Sequence, residues 1–143
     1  MSTVIGRAAP AFTAPSTDGE ISLKELKGRI VVMYFYPRDN TPGCTTEGQN
    51  FRDRYADFQA AGAQVLGVSQ DAIWSHIAFS NHFNMHFPLL SDYHPRGKVA
   101  SAYGVPVTDG ESARAAFIID TNQQIIWSHL SPPGIALAPG LPL

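Results

Sequence analysis

The chain carries a single cysteine, Cys44, in 143 residues. One thiol forms no internal disulfide, completes no four-thiolate metal site and cannot make the Cys-x-x-Cys pair on which thiol–disulfide oxidoreductases depend. Charge is scarce as well: Asp, Glu, Lys and Arg make up 15% of the chain, and a formal net charge of -2 offers no basic face to nucleic acid or an anionic membrane. No apolar run approaches the roughly 20 residues of a membrane-spanning helix. The first residues, "MSTVIGRAAPAF", lack the apolar core of a secretory signal, so a cytoplasmic protein is expected. Histidine does not supply a metal site either. His82 and His86 are four apart, but "NHFNMHFP" heads into a proline and brings no carboxylate at ligand spacing. Neither a metal nor a cofactor is expected.

What is present is an ordinary globular composition, 44% hydrophobic, with room for one domain and one substantial core. "AFTAPSTDGEISLKEL" alternates around Asp18-Gly19 and predicts a β-hairpin followed by a short helical turn. "RIVVMYFY" is β-branched and aromatic without alternation, as a strand buried on both faces should be. Phe51, Tyr55 and Phe58 fall at helical spacing between Thr45 and Ala61, and Gly62 stops that helix. "AQVLGVS" reads as a second buried strand. Asp71 is placed to cap a helix carrying Ile73, Trp74, Ile77 and Phe79. "FPLLSD" is a short strand, "PRGKVASAYGV" a short helix, and "ARAAFIID", "TNQQ" and "QIIWSHL" a terminal hairpin. The order predicts an α/β domain whose mixed sheet is parallel in the middle and antiparallel at one edge. Trp74, Phe79, Phe83 and Trp127 are expected in the core or an interface, and Arg38, Asp39 and Asn40 in an exposed loop.

Cys44 stands in "PRDNTPGCTTEGQ", between a turn and a helix start. A cysteine kept for packing more often sits inside a hydrophobic run. Pro42 and Gly43 suit a tight entry, with the helix beginning at or just after Cys44. Its unpaired N–H groups and about half a positive charge stabilise an anion there, and a thiolate is such an anion. A free thiol is only about 3% ionised at pH 7, and making it mostly thiolate takes about 3.4 kcal/mol. A helix end supplies about 0.3–1 kcal/mol and rarely as much as ~2. A second cation is therefore needed. Ionisation alone gains at most about thirtyfold, so fast chemistry also requires donors aimed at the substrate's developing charge.

Pro37, Thr41 and Cys44 stand in the spacing Pro-x-x-x-Thr-x-x-Cys, and with these residues the chain resembles the peroxiredoxins, thioredoxin-fold enzymes that reduce hydroperoxides. "FYPRDNTPGCTTE" is similar to the bacterioferritin-comigratory, or Q-type, branch; "FPLLSDYHPRGKVASAYGV" followed by "RAAFIID" is closer to the one-cysteine alkyl hydroperoxide reductase E type. The resemblance spans about residues 4–130. It implies a thioredoxin-like fold, a central mixed sheet flanked by helices, with the N-terminal hairpin added. It makes Cys44 the peroxidatic nucleophile, Thr41 the hydroxyl that bonds thiolate and peroxide, and Pro37 the shield against water. Arg114 becomes the missing cation and Glu47 the acid that orients it, while the backbone N–H groups of Gly43 and Cys44 complete the peroxide site. Thr41 can also be read as a turn residue, Arg114 as a surface charge on an edge strand, and Glu47 as an acid favoured in any first helical turn.

The chain departs from the pattern twice. Q-type members often place a resolving cysteine five residues after the first, where Gln49 stands. A sulfenic acid on Cys44 would then be reduced from outside, by thioredoxin, a glutaredoxin-like protein or a low-molecular-weight thiol. Relatives also end in a helix packed on the sheet, whereas residues 131–143, "SPPGIALAPGLPL", are too rich in proline and glycine for one. The domain is thus expected over 1–130 with an apolar tail over 131–143, and the uncovered sheet is expected to be covered either by that tail or by a second subunit, as a homodimer. The leading expectation is a thiol-dependent peroxidase for hydrogen peroxide and organic hydroperoxides. The alternative is a redox-relay protein, or a decayed paralogue, whose cysteine reacts without turnover.

Overall fold

A computed structural model describes residues 5–93 and 95–131 of the chain. Its strands are β1 (Thr13–Ser16), β2 (Gly19–Ser22), β3 (Ile30–Phe35), β4 (Ala63–Ser69), β5 (Leu89–Ser91), β6 (Val107–Thr108), β7 (Glu111–Ser112), β8 (Ala115–Ile119) and β9 (Ile125–Leu130). Its helices are α1 (Pro42–Asp53), α2 (Tyr55–Ala60), α3 (Ile73–Phe83) and α4 (Lys98–Ala102), with a 3-10 turn over Leu23–Leu26.

Among the described residues the main sheet has the order β2-β1-β5-β4-β3-β8-β9. Strands β3, β4 and β5 are parallel, β8 runs antiparallel beside β3, and β9 antiparallel beside β8. The sequence predicted one antiparallel edge; the structure has two. The N-terminal hairpin joins the sheet through the antiparallel pair Ser16–Leu90, so β1 and β2 close the side opposite β9. The central strands are sealed on both faces, as their unbroken apolar sequence requires. Along β3, Val31, Met33 and Phe35 enter one core with Leu66, Val68, Tyr103 and Phe117. Val32, Tyr34 and the following Tyr36 enter the other, against Phe51, Phe58, Phe79 and Phe87.

Several boundaries differ from expectation. The helix expected over 45–61 starts three residues earlier and is broken at Arg54 (φ -105, ψ 8) into α1 and α2. Pro42 takes the first helical position, where a missing N–H costs nothing. Asp71 does not cap α3: the N-cap is Ala72, with no side-chain cap, and the Asp71 carboxylate turns to the active-site loop instead. Trp74 is 78% exposed on α3, which removes it from the core. The sequence reading missed the small hairpin β6–β7. Its two-residue turn Asp109-Gly110, with φ of 52 and 77, is the Asp-Gly signature of a type I′ turn. The expectations for the tail lie mostly outside the described residues.

Candidate active site

Strand β3 ends at Phe35, and the Tyr36 N–H still bonds to the Val68 carbonyl at 3.0 Å. The chain then leaves the carboxyl end of the parallel strands, turns through Pro37–Thr41 and enters α1. Thr41 is the N-cap, and the Thr45 N–H closes the first helical bond on its carbonyl (2.9 Å). Cys44 is therefore the third helical residue, where backbone N–H groups have no carbonyl one turn earlier to meet. The distant cation arrives through strand pairing. Phe35 of β3 pairs with Ala115 of β8, so Arg114, one residue before β8, lies level with the start of the loop.

The Cys44 side chain is buried, 1% exposed. Arg114 Nη1 donates to its Sγ at 3.3 Å and lies 3.7 Å from Glu47 Oε2. Glu47 is fully buried on the inner face of α1 and turns one carboxylate oxygen towards the guanidinium. A buried arginine–carboxylate contact of this kind keeps its partners fixed, because neither is easily left alone in a water-poor site. Gly43 makes the approach possible. A Cβ built there would lie 2.7 Å from Arg114 Nη2 and 3.3 Å from Cζ. Arg114, Glu47, Gly43 and Cys44 thus converge on one point at the amino end of α1.

The other two expected residues are close in sequence but differently engaged. The Thr41 hydroxyl donates to the Arg38 carbonyl at 2.9 Å, so its hydrogen points into the loop and only its lone pairs face elsewhere. Pro37 is half-buried and lines a groove with Pro106, Ser112, Ala113 and Leu130. Behind α1, Tyr34 stacks on Phe51 at 4.2 Å between ring centroids. Burial first, then the negative charges of Glu47, Asp39 and Cys44, push the Tyr34 phenol well above its ordinary value, so it stays neutral.

Asp39 corrects the expectation of an exposed loop. Arg38 and Asn40 are exposed, but Asp39 between them is buried, 5% exposed. Its carboxylate accepts from the Tyr36 hydroxyl (2.6 Å) and the Ser75 hydroxyl (2.8 Å) and contacts His76 Nδ1 at 2.8 Å. Asp39, Asp71 and His76 bring one donor atom each to within 4.8 Å of one another, which is a possible metal-ligand geometry. Those atoms are already engaged: Asp71 Oδ2 accepts from the Asp39 N–H and the Ser69 hydroxyl, and His76 Nε2 donates to the Leu90 carbonyl. The group forms a closed hydrogen-bond network. In sequence, the trace of it is the pair Ser75-His76 within the mostly apolar "IWSHIAF".

Comparison with known proteins gives the family. Residues 5–128 match the model of the AhpC/TSA family. A putative peroxiredoxin bcp of Coxiella burnetii is 40% identical over 144 residues, covering 94% of this chain and 94% of that protein. The chloroplastic peroxiredoxin Q of Oryza sativa subsp. japonica is 44% identical over 133 residues, 90% of this chain and 60% of that longer protein. The crystal structure of the peroxidoxin BcpB of Mycobacterium tuberculosis superposes with a TM-score of 0.83 at 32% identity, covering 90% of this chain and 86% of that one. The fold is that of the thioredoxin-like peroxiredoxins. With its lone cysteine held at a helix start by an arginine, this chain belongs to the AhpC/TSA family and is a peroxiredoxin, a thiol-dependent peroxidase.

Proposed function

We propose that Cys44 is the peroxidatic nucleophile and that Arg114, Glu47, Thr41, Pro37 and the Gly43 and Cys44 N–H groups serve it. The observation that carries this reading is the Arg114 Nη1–Sγ contact of 3.3 Å at a helix N-terminus. Helix end and guanidinium together provide the two positive contributions that a thiolate needs. The thiolate attacks one peroxide oxygen, an S–O bond forms and the O–O bond breaks. The departing oxygen leaves as water or an alcohol after taking up a proton. Arg114 and the helix N–H groups face the oxygen on which charge develops, where preorganised donors accelerate the step most. Glu47 holds the guanidinium in place, and Pro37 limits water at the mouth.

Cys44 is the only cysteine, so the sulfenic acid is resolved from outside. One external thiol condenses with it, releasing water and leaving a mixed disulfide; a second thiol displaces Cys44 and departs as a disulfide. Hydrogen peroxide and organic hydroperoxides are the substrates, and thioredoxin, a glutaredoxin-like protein or a small thiol is the reductant. A reducing compartment such as the cytosol suits a thiol that must be regenerated each cycle, and the chain serves redox homeostasis there. Among the described residues no helix is long and apolar enough to cross a membrane. Pairing of two chains is supported by Ile126 and Leu130, exposed on the edge strand β9. Intact-mass measurement tests the chemistry. One equivalent of peroxide should add one oxygen to Cys44, and a small thiol should then replace it as a single adduct. An oxidised chain that accepts no thiol would favour the relay reading.

A further inference from the structure

The turn that presents Pro37 and Thr41 is held from inside by groups to which the chemistry assigns no part. Asp39, midway along it, receives the Tyr36 hydroxyl on Oδ1 and the Ser75 hydroxyl and His76 Nδ1 on Oδ2. Its backbone N–H donates to Asp71 Oδ2 at 2.9 Å. His76 is fully buried, and its Nε2 lies 2.8 Å from the Leu90 carbonyl on β5. A carbonyl only accepts, so Nε2 carries a hydrogen, and a further hydrogen lies between Nδ1 and the Asp39 carboxylate. The ring therefore bridges the loop to the sheet. Asn40, the next residue, turns the chain at φ 62, a left-handed conformation that asparagine tolerates better than most residues. Among the described residues, the outer side of the loop carries the Arg38–Glu111 ion pair at 2.9 Å, half-exposed and worth little, and the Thr41 hydroxyl's bond to the Arg38 carbonyl.

We infer that His76 and Asp39 are positioning residues for peroxide reduction: they lock the Pro37–Thr41 turn so that the peroxide pocket keeps its shape over Cys44. The inference rests on the peroxidase reading above and extends it to residues that touch neither thiol nor substrate. A displacement of about 1 Å in such a site can cost a hundredfold in rate. The lock acts on where the peroxide sits rather than on the ionisation of the thiol, so its loss should separate two reactions of Cys44. Peroxide attack needs the formed pocket. Alkylation by iodoacetamide uses the same thiolate, buried as it is, but none of the donors that hold a peroxide.

Two substitutions divide the bridge. In His76→Asn the amide takes the place of Nδ1 and keeps the Asp39 contact while losing Leu90. In His76→Gln it takes the place of Nε2, keeping Leu90 and losing Asp39. Asparagine leaves the larger void by one methylene, so a purely structural role would lower the melting temperature of His76→Asn at least as much as that of His76→Gln and leave peroxide rates per folded molecule alike. The lock predicts that His76→Gln falls at least about tenfold in the second-order peroxide rate while His76→Asn stays within about threefold. Iodoacetamide rates at a pH that fully ionises the thiol should not fall below the parent's in either, since a loosened turn opens the buried Cys44 rather than closing it. Equal peroxide rates in the two variants, or alkylation falling in step with peroxide reduction, would overturn the inference. Should neither variant fold, Ser75→Ala removes one Asp39 donor from a half-buried helix position and should show the same split between the two rates. A parent inert to peroxide would defeat the peroxidase reading alone. Amide exchange at Asp39 and through the first turn of α1 would still decide the lock, being faster in His76→Gln than in His76→Asn if it exists and equal if it does not.

Discussion

Gly43→Ala tests the Arg114–Cys44 contact through both stability and chemistry. The new Cβ would stand 2.7 Å from Arg114 Nη2, where about 3.5 Å is the nearest comfortable approach. The guanidinium must retreat by about 0.8 Å. It cannot do so freely, because it is mostly buried, 12% exposed, with the Glu47 carboxylate close by. The Nη1–Sγ distance, now 3.3 Å, lengthens by up to that amount, to the limit of hydrogen-bond reach for sulfur. A hydrogen bond to a charged group contributes about 1.5–3 kcal/mol, equivalent to roughly ten- to a hundredfold in rate. Alanine in place of glycine favours the helix by up to about 1 kcal/mol, less at its second position. Because the bond to Sγ also holds the folded chain together, its loss outweighs the helix gain: the variant should melt a few degrees below the parent and react with peroxide at least tenfold more slowly. Competition kinetics against a reporter peroxidase, beside a thermal melt, reads both. A stable Gly43→Ala chain with the parent's peroxide rate would refute the role given to Arg114.

Arg114→Lys keeps a positive charge but loses the planar fork that faces Sγ and Glu47 together, so it should lose most of the rate even where the thiol is fully ionised; rates equal to the parent there would contradict it. Thr41→Val should slow peroxide reduction more than alkylation, and equal slowing of the two would mean the hydroxyl serves only its bond to the Arg38 carbonyl. Tyr34, Tyr36 and Tyr103 all have phenols raised by burial, so the folded chain holds their protons while the unfolded chain releases them near pH 10. Their stabilising share is complete below that pH and is lost as pH climbs above it. Absorbance near 295 nm should show these phenols ionising together with alkaline unfolding; smooth ionisation in a still-folded chain would contradict their burial.

Much of the fold was legible because its signals are local. An unbroken apolar "IVVMYF" needs cover on both faces, and Asp18-Gly19 fixes a hairpin wherever that hairpin docks. Where it docks was not legible: the single bridge from Ser16 to Leu90 depends on residues far apart in sequence. The site divides in the same way. Cys44 announced itself by its helix start, and Arg114 was reached only through resemblance, because 70 residues separate it from the thiol it contacts. Asp39 was misread for a physical reason. An aspartate flanked by arginine and asparagine in a turn normally faces water, and only His76, Ser75 and Tyr36 together make its burial tolerable. Asp71 misled similarly, since its position before α3 fits a cap while its carboxylate serves the loop.

The central claim is that one cysteine performs the whole catalytic cycle with an outside thiol. Peroxide consumption by the parent chain and by Cys44→Ser, each supplied in turn with thioredoxin, a glutaredoxin-like protein and a small thiol, tests it most directly. Multiple turnovers with at least one donor are expected of the parent and none of Cys44→Ser, with the two chains equally folded. Turnover persisting in Cys44→Ser, or a parent that consumes one peroxide per thiol and stops with every donor, would contradict it.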